Sequence, residues 1–202
     1  MRRWGLLAIV IVGGSLAAML LPRTATSTPS AEPTGPPVVT VSPLWIAPPS
    51  LKALITKSDA VVEAHVTAVR PGEPIVQPPV KGVPDGAIAD IPTSRVDVTV
   101  DKVVRGDVPD TVTLFQTGGQ TTIRGTQSTV VAEGDPAFSA GERYVLFLQR
   151  RPDGTYLYYG PNGRLGVDDA NLMHAVDGTG LLAPLDGLSR SDLETKLQEE
   201  TK

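Results

Sequence analysis

The sequence predicts a mainly β protein: a small antiparallel barrel with a short helix at each end, set behind one transmembrane helix. Three observations predict it. Apolar residues alternate with polar ones at Val62, Ala64, Val66 and Ala68, and again at Val96, Val98 and Val100, the period of a half-buried strand. Two long segments, 71–93 and 116–142, are rich in proline or glycine and divide the strands into groups. The first 21 residues carry Arg2 and Arg3 and then an uncharged, mostly apolar run from Trp4 to Leu21.

That leader is the foot of the molecule. A helix rises ~1.5 Å per residue, and roughly 17–25 residues cross the hydrocarbon core. The two arginines precede the run, so the positive-inside rule keeps Met1 in the cytoplasm and exports the C-terminal part of the chain. A cleaved signal peptide competes with this reading, because Ser15-Leu16-Ala17 offers small residues to a signal peptidase. The apolar run continues through Ala18-Met19-Leu20-Leu21 and favours the retained anchor. A lipid anchor is excluded, since it needs a cysteine and the chain has 0.

The same cysteine count removes disulfides, thiol catalysis and thiolate metal sites. Without Met1–Leu21 the chain holds 16 basic and 22 acidic side chains, a balance of about −6. That charge argues against nucleic acid as a partner, because phosphate tracks need clustered Lys and Arg. Residues 22–49 contain prolines at 22, 29, 33, 36, 37, 43, 48 and 49. Such a segment buries too little apolar surface to fold, so the sequence predicts a disordered Pro/Ser/Thr-rich stalk. The expected domains are therefore an anchor or signal at 1–21, a stalk at 22–49 and one folded domain at 50–202.

Each element of that domain has a local reason. Ser50 can cap a helix to Lys57 with Leu51, Leu54 and Ile55 on one face. A strand runs from Asp59 to Arg70. Residues 71–93 hold six prolines and read as a long loop. The alternation from Arg95 to Asp101 runs on to Val104, turns through Arg105–Asp110 and returns as Thr111–Phe115, an antiparallel hairpin. Residues 116–142 read as a second long loop, with Thr129-Val130-Val131 expected to pair briefly inside it. Tyr144-Val145-Leu146-Phe147-Leu148 is apolar on both faces and suits a central strand. Arg151-Pro152-Asp153-Gly154 is a turn leading to a strand at Tyr156–Tyr159. Asn162-Gly163 is a second turn, before a strand at Arg164–Val167. A final helix carries Leu193 and Leu197 on one face, a capping box at Ser191 and Glu194, and an Asp192–Lys196 pair. The order of strand, long loop, hairpin, long loop and meander suits a five-stranded Greek-key barrel of the OB type.

Four stretches carry a family resemblance over about residues 50–167: Ser58-Asp59-Ala60-Val61-Val62-Glu63-Ala64, Val98 to Gly106, Gly118-Gly119, and Gly141-Glu142-Arg143-Tyr144-Val145-Leu146-Phe147-Leu148. Together they resemble exported bacterial domains of unknown function. More distantly, they are similar to the netrin-like OB barrel of the tissue inhibitors of metalloproteinases. The resemblance implies a barrel that binds something. It does not carry the inhibitors' zinc-directed chemistry, which uses an N-terminal cysteine that is absent here.

Candidate chemistry is sparse. His65 shares a strand face with Glu63 and Thr67, which predicts a solvated or edge-paired imidazole. Asp168, Asp169, Asn171, His174 and Asp177 could surround a cation, but the spacing fits no EF-hand, and a polar turn or short capped helix is the simpler reading. Ser139 lacks a base beside it in sequence. Glu133 and Asp135 read as loop carboxylates. Gly118-Gly119 has no following lysine and lets the chain turn after Phe115. The expectation is a non-catalytic extracytoplasmic binding domain. It has no catalytic, cofactor or metal residues, its partners are the membrane through the leader and an envelope protein, and its oligomeric state is open. Modulation of an exported protease is the first alternative, and hydrolysis of an unknown substrate the second. The second long loop, 116–142, is the first place to look for a ligand.

Overall fold

The computed structural model describes residues 36–42, 47–78, 81, 90–123, 125–176, 178 and 180–201. The leader at 1–21 and the stalk before Pro36 lie outside the described residues. Among the described residues no helix is long and apolar enough to cross a membrane.

The elements follow one another as β1 (Val38–Val41), α1 (Leu51–Lys57), β2 (Ala60–Pro71), β3 (Thr93–Gly106), β4 (Thr111–Ile123), β5 (Thr126–Ala132), β6 (Arg143–Arg150), β7 (Tyr156–Leu157), β8 (Arg164–Val167), β9 (Met173–Ala175) and α2 (Arg190–Glu200). A single-turn 3₁₀ helix, Gly160–Gly163, joins β7 to β8, and another occupies Ala183–Leu185.

Five strands close a barrel. Going round it, β2 pairs with β3, β3 with β4, β4 with β7, β7 with β6, and β6 with β2. The expected barrel is present, with one change. The ring is not wholly antiparallel, because β4 meets β7 in parallel at Leu114 and Tyr156. The reason is connectivity: β7 returns from β6 by a tight turn and so runs in the direction of β4. Gly154 in that turn has φ +82, which its missing Cβ permits.

Residue parity along β2 and β6 sorts two cores. Ala60, Val62, Ala64 and Val66 join Tyr144, Leu146 and Leu148 inside the barrel, with Val96, Val98, Val112 and Leu114 opposite. The intervening Val61, Val145 and Phe147 face outward, against Leu54 and Ile55 of α1, Leu193 and Leu197 of α2, and Leu165 and Met173. Each fully buried aliphatic stabilises by about 1.5–3 kcal/mol relative to exposure. A one-residue slip of β6 would exchange the two sets, so both cores hold its register. β6 is therefore buried on both faces, as its unbroken apolar run predicts. β2 departs from the expected single wet face: Val61 and Glu63 on its outer side are covered by the helical layer.

Both helices form. Ser50 caps α1 by accepting from the backbone N–H of Ala53 at 3.1 Å. The cap of α2 is Ser189 rather than Ser191, accepting from Asp192 N–H at 3.3 Å. Asp192 is drawn back to that cap, its Oδ2 accepting from Ser189 Oγ at 2.6 Å. Lys196 consequently reaches forward, lying 3.8 Å from Glu199 and 3.7 Å from Glu200 instead of pairing with Asp192.

Three stretches read as irregular contain strands. In the stalk, Val38–Val41 pairs in parallel with β5. The proline-free, β-branched run between Pro37 and Pro43 makes this possible. In the second long loop, β4 continues to Ile123 and returns as β5, from Gly118↔Val131 to Ile123↔Thr126. Gly118 and Gly119 have φ +109 and +137 and let β4 leave the barrel wall for this arm. A Cβ on Gly118 would meet Val130 O at 2.7 Å, and one on Gly119 would meet Ser94 Oγ at 2.8 Å. After the polar turn at 168–172, Met173–Ala175 forms β9 on β8, not a helix.

Candidate functional site

Among the described residues, chemically distinctive side chains gather in four places. The first is the barrel mouth, closed by the segment after β5. Arg164 opens β8 and is fully buried, beside the equally buried Asp135. Its Nη2 lies 2.8 Å from Asp135 Oδ1 and donates to the carbonyl of Pro136. The Asp135 contact has ion-pair distance without hydrogen-bond direction. Asp135 Oδ2 accepts from the Tyr158 hydroxyl at 2.7 Å. Gln116 Nε2 donates to Pro136 O at 3.0 Å.

Aromatic rings hold the rest of the guanidinium. The Arg164 Cζ lies 4.2 Å from the Phe138 ring centroid, 5.3 Å from that of Tyr144 and 5.7 Å from that of Tyr158. Phe138 meets both tyrosines edge-on, at 4.9 and 5.3 Å between centroids. Nε and Nη1 make no hydrogen bond, and the surrounding ring faces compensate the cation in their place. Burial, with Asp135 next, raises the Tyr158 pKa well above its ordinary value. Burial also raises that of Tyr144, helped by its 2.6 Å bond to Glu142. Both phenols therefore stay neutral and donate. This arrangement locks the mouth shut.

The second place is an open groove of about 350 Å³ lined by Glu142, Arg143, Asp168, Asp169 and His174 among others. His174 Nε2 lies 3.0 Å from Asp168 Oδ2, and Nδ1 lies 3.7 Å from Asp186 Oδ1. Asp168 raises the imidazole pKa, and that same bond, with the N–H of Leu172, lowers the Asp168 pKa. Arg143 donates to Asn171 Oδ1 at 2.8 Å and to the Asp168 carbonyl. Asn171 sits at φ +60, a conformation asparagine tolerates better than most residues. The polar side chains of this turn bind one another. Among the described residues no group of three or more His, Cys, Asp or Glu side chains is placed to hold a metal ion.

The third place is a wider groove of about 460 Å³ between α1, α2 and the end of β3, lined by Lys52, Lys102, Val103, Arg105, Glu194 and Leu197 with their neighbours. Arg105 is committed to the C-terminal end of α1, donating to Ile55 O at 2.6 Å and Ser58 O at 3.1 Å. Lys102 pairs with Glu194 at 2.5 Å. The fourth is the outer wall of β2–β4, where Arg70, Arg95 and Phe115 lie in one cross-strand row.

The remaining sequence candidates separate. His65 is edge-paired, its Nδ1 lying 2.8 Å from Asp101 Oδ1. Glu133 and Asp135 diverge: Glu133 is exposed and accepts from Ser42 Oγ, while Asp135 is sealed in the mouth. Ser139 is exposed, and its backbone N–H donates to Glu142 at 2.8 Å. Asp177 lies outside the described residues. Sequence reasoning missed Arg164 as the central charge. Its one signal is position, as the single charge in the short strand Arg164–Val167, whose other residues are Leu, Gly and Val.

Comparison with protein-family models, curated proteins and solved structures finds no match for this chain.

Proposed function

We propose that this chain is a non-catalytic binding domain held on the outer side of a membrane by its N-terminal helix. One observation carries the binding reading. The barrel is filled by its own side chains and its mouth is sealed by Phe138, Arg164 and Asp135, so a partner is met on the outer surface rather than inside. The barrel belongs to the OB Greek-key type in this reading. Three consecutive strands, β2, β3 and β4, are followed round the ring by β7 and then β6, the order of that fold. The run Trp4–Leu21 behind two arginines supports the anchor.

Photo-crosslinking the full chain in intact cells, with mass spectrometry of the captured protein, tests the proposal. A reproducible envelope protein captured through outer-wall positions is the expected result. Turnover of a substrate in a broad hydrolase screen would replace this reading with an enzymatic one. The ring order also favours a second reading, modulation of an exported protease, through its likeness to the netrin-like barrel. Unchanged activity across a panel of exported proteases would remove that one.

A further inference from the structure

The outer wall carries more cations than its carboxylates balance: Arg70, Arg95 and Arg151 stand beside Asp97 and Asp153. Arg70 on β2 stands directly opposite Arg95 on β3, and Arg95 stands directly opposite Phe115 on β4. From the β6–β7 turn, Arg151 lays its guanidinium over the Phe115 ring, 4.8 Å from the centroid. Arg95 and Arg151 thus flank one half-buried aromatic ring, and Arg70 stands one strand further out. Like charges directly opposite in a sheet are destabilising.

The nearby carboxylates are already engaged, Asp97 by Arg70 and Asp153 by Thr155 and Arg151. Asp97 accepts from Arg70 at 2.5 Å and from Thr113 Oγ1 at 2.8 Å. Asp153 is bound by Thr155 through Oγ1 at 2.6 Å and N–H at 3.0 Å, and lies 3.9 Å from Arg151. Among the described residues the Arg95 side chain makes no hydrogen bond or close ion pair, and it reaches Asp153 only through a longer-range attraction. A like-charged pair directly opposite in a sheet is a local conflict of the kind expected at functional sites.

We propose that this row, as the contact surface of the binding domain inferred above, takes an acidic peptide segment of a partner protein. An apolar side chain of the segment packs beside Phe115, whose ring already carries the Arg151 guanidinium, and flanking carboxylates meet Arg95 and Arg151. The chemistry matches at each position. A planar guanidinium pairs with a carboxylate through two parallel N–H donors, and a half-buried ring offers an apolar seat. Neighbouring strands lie ~4.8 Å apart, so the positions of Arg70, Arg95 and Phe115 span about 10 Å, or roughly three residues of extended peptide. The balance of charge favours a short segment over a polymer. The row carries three cations against Asp97 and Asp153, on a chain of net −4. A polyanion needs a longer basic track, whereas a short acidic segment needs only this local field.

The test is fluorescence anisotropy with the full chain in detergent micelles. The probe is a labelled pentapeptide with phenylalanine between two pairs of glutamates. Expected results are saturable binding that weakens as salt is raised, no binding of the lysine-for-glutamate counterpart, and at least tenfold weaker binding by Arg95→Glu. Arg151→Ala and Phe115→Leu weaken it to a lesser degree, and Lys52→Ala, on another surface, leaves it unchanged. Melting curves of the variants separate lost binding from lost fold. Absence of peptide binding, or equal binding by Arg95→Glu, overturns the proposal. So does Arg95-dependent binding of a polyuronate or of phosphatidylglycerol vesicles in place of the peptide. A cell-captured partner that binds Arg95→Glu as well as wild type removes this face and leaves the binding-domain reading standing. Failure to capture any partner removes that reading itself.

Discussion

Arg164 with Asp135 and His174 with Asp168 each pair a basic side chain with an aspartate, at 2.8 and 3.0 Å, yet they do opposite work. The first is wholly buried, and the second has both side chains over a third exposed. In the barrel mouth, each charge depends on the other and on the rings around it, because full burial keeps bulk solvent from replacing a lost partner. In the groove, solvent screens the pair, and each partner can be lost at little cost to the fold. Distance alone does not rank these pairs; burial does.

The largest expected effect comes from breaking the buried pair. Asp135→Ala leaves Arg164 uncompensated and should cost about 3–5 kcal/mol, read as a lower urea midpoint. Replacing both members, as Asp135→Leu with Arg164→Met, should cost less than Asp135→Ala alone. A double variant that loses the sum of the two single losses would show that the pair is not coupled.

An intermediate case lies between the two extremes. Glu63 is buried in the outer side of β2 and pairs with Arg190 at the start of α2, whose side chain is 44% exposed. Arg190→Ala strands a buried carboxylate and should destabilise by about 1–3 kcal/mol. A loss below that range would place this pair with the exposed one. Next comes the helix end itself. Ser189→Ala removes the α2 cap and should cost about 1 kcal/mol, whereas Ser191→Ala should cost far less. Equal losses from the two serines would contradict the assignment of the cap.

The smallest effect belongs to His174, and its sign follows from the raised imidazole and the lowered carboxyl. The histidine contribution is present below its ordinary pKa of 6.5 and disappears as pH rises through the raised folded value. The aspartate contribution is present above its ordinary 3.8 and disappears as pH falls through the depressed folded value. The pair is therefore most favourable between those limits. NMR titration of the His174 ring should show the raised midpoint, and Asp168→Asn should bring it down. An unchanged midpoint in Asp168→Asn would mean that Asp168 does not hold the proton there.

Much of the barrel was legible in the chain because its signals are local. Valine alternation in β3, the unbroken apolar run of β6 and the Pro-Asp-Gly turn before β7 each name their own structure within a few residues. Of the arm formed by β4 and β5, only the pairing of Thr129-Val130-Val131 was legible. Its threonines and glycines look like a loop, and its strands exist only because they pair with each other and with Val38–Val41. The cap of α2 was misplaced for a similar reason. Ser189 and Ser191 are equivalent in local chemistry, and the helix starts where Leu193 and Leu197 reach the α1 side of the barrel.

Periodicity, cysteine count and run length are properties of neighbours along the chain. They were enough for the mainly β character, the two helices, the absence of disulfides and an apolar leader suited to a membrane. Only the folded barrel brings Asp135 to Arg164, turns Glu133 away from them, and gathers Arg70, Arg95, Phe115 and Arg151 on one surface. Those groupings join residues up to 81 positions apart. Ring closure and strand register bring them together, and no local pattern records either.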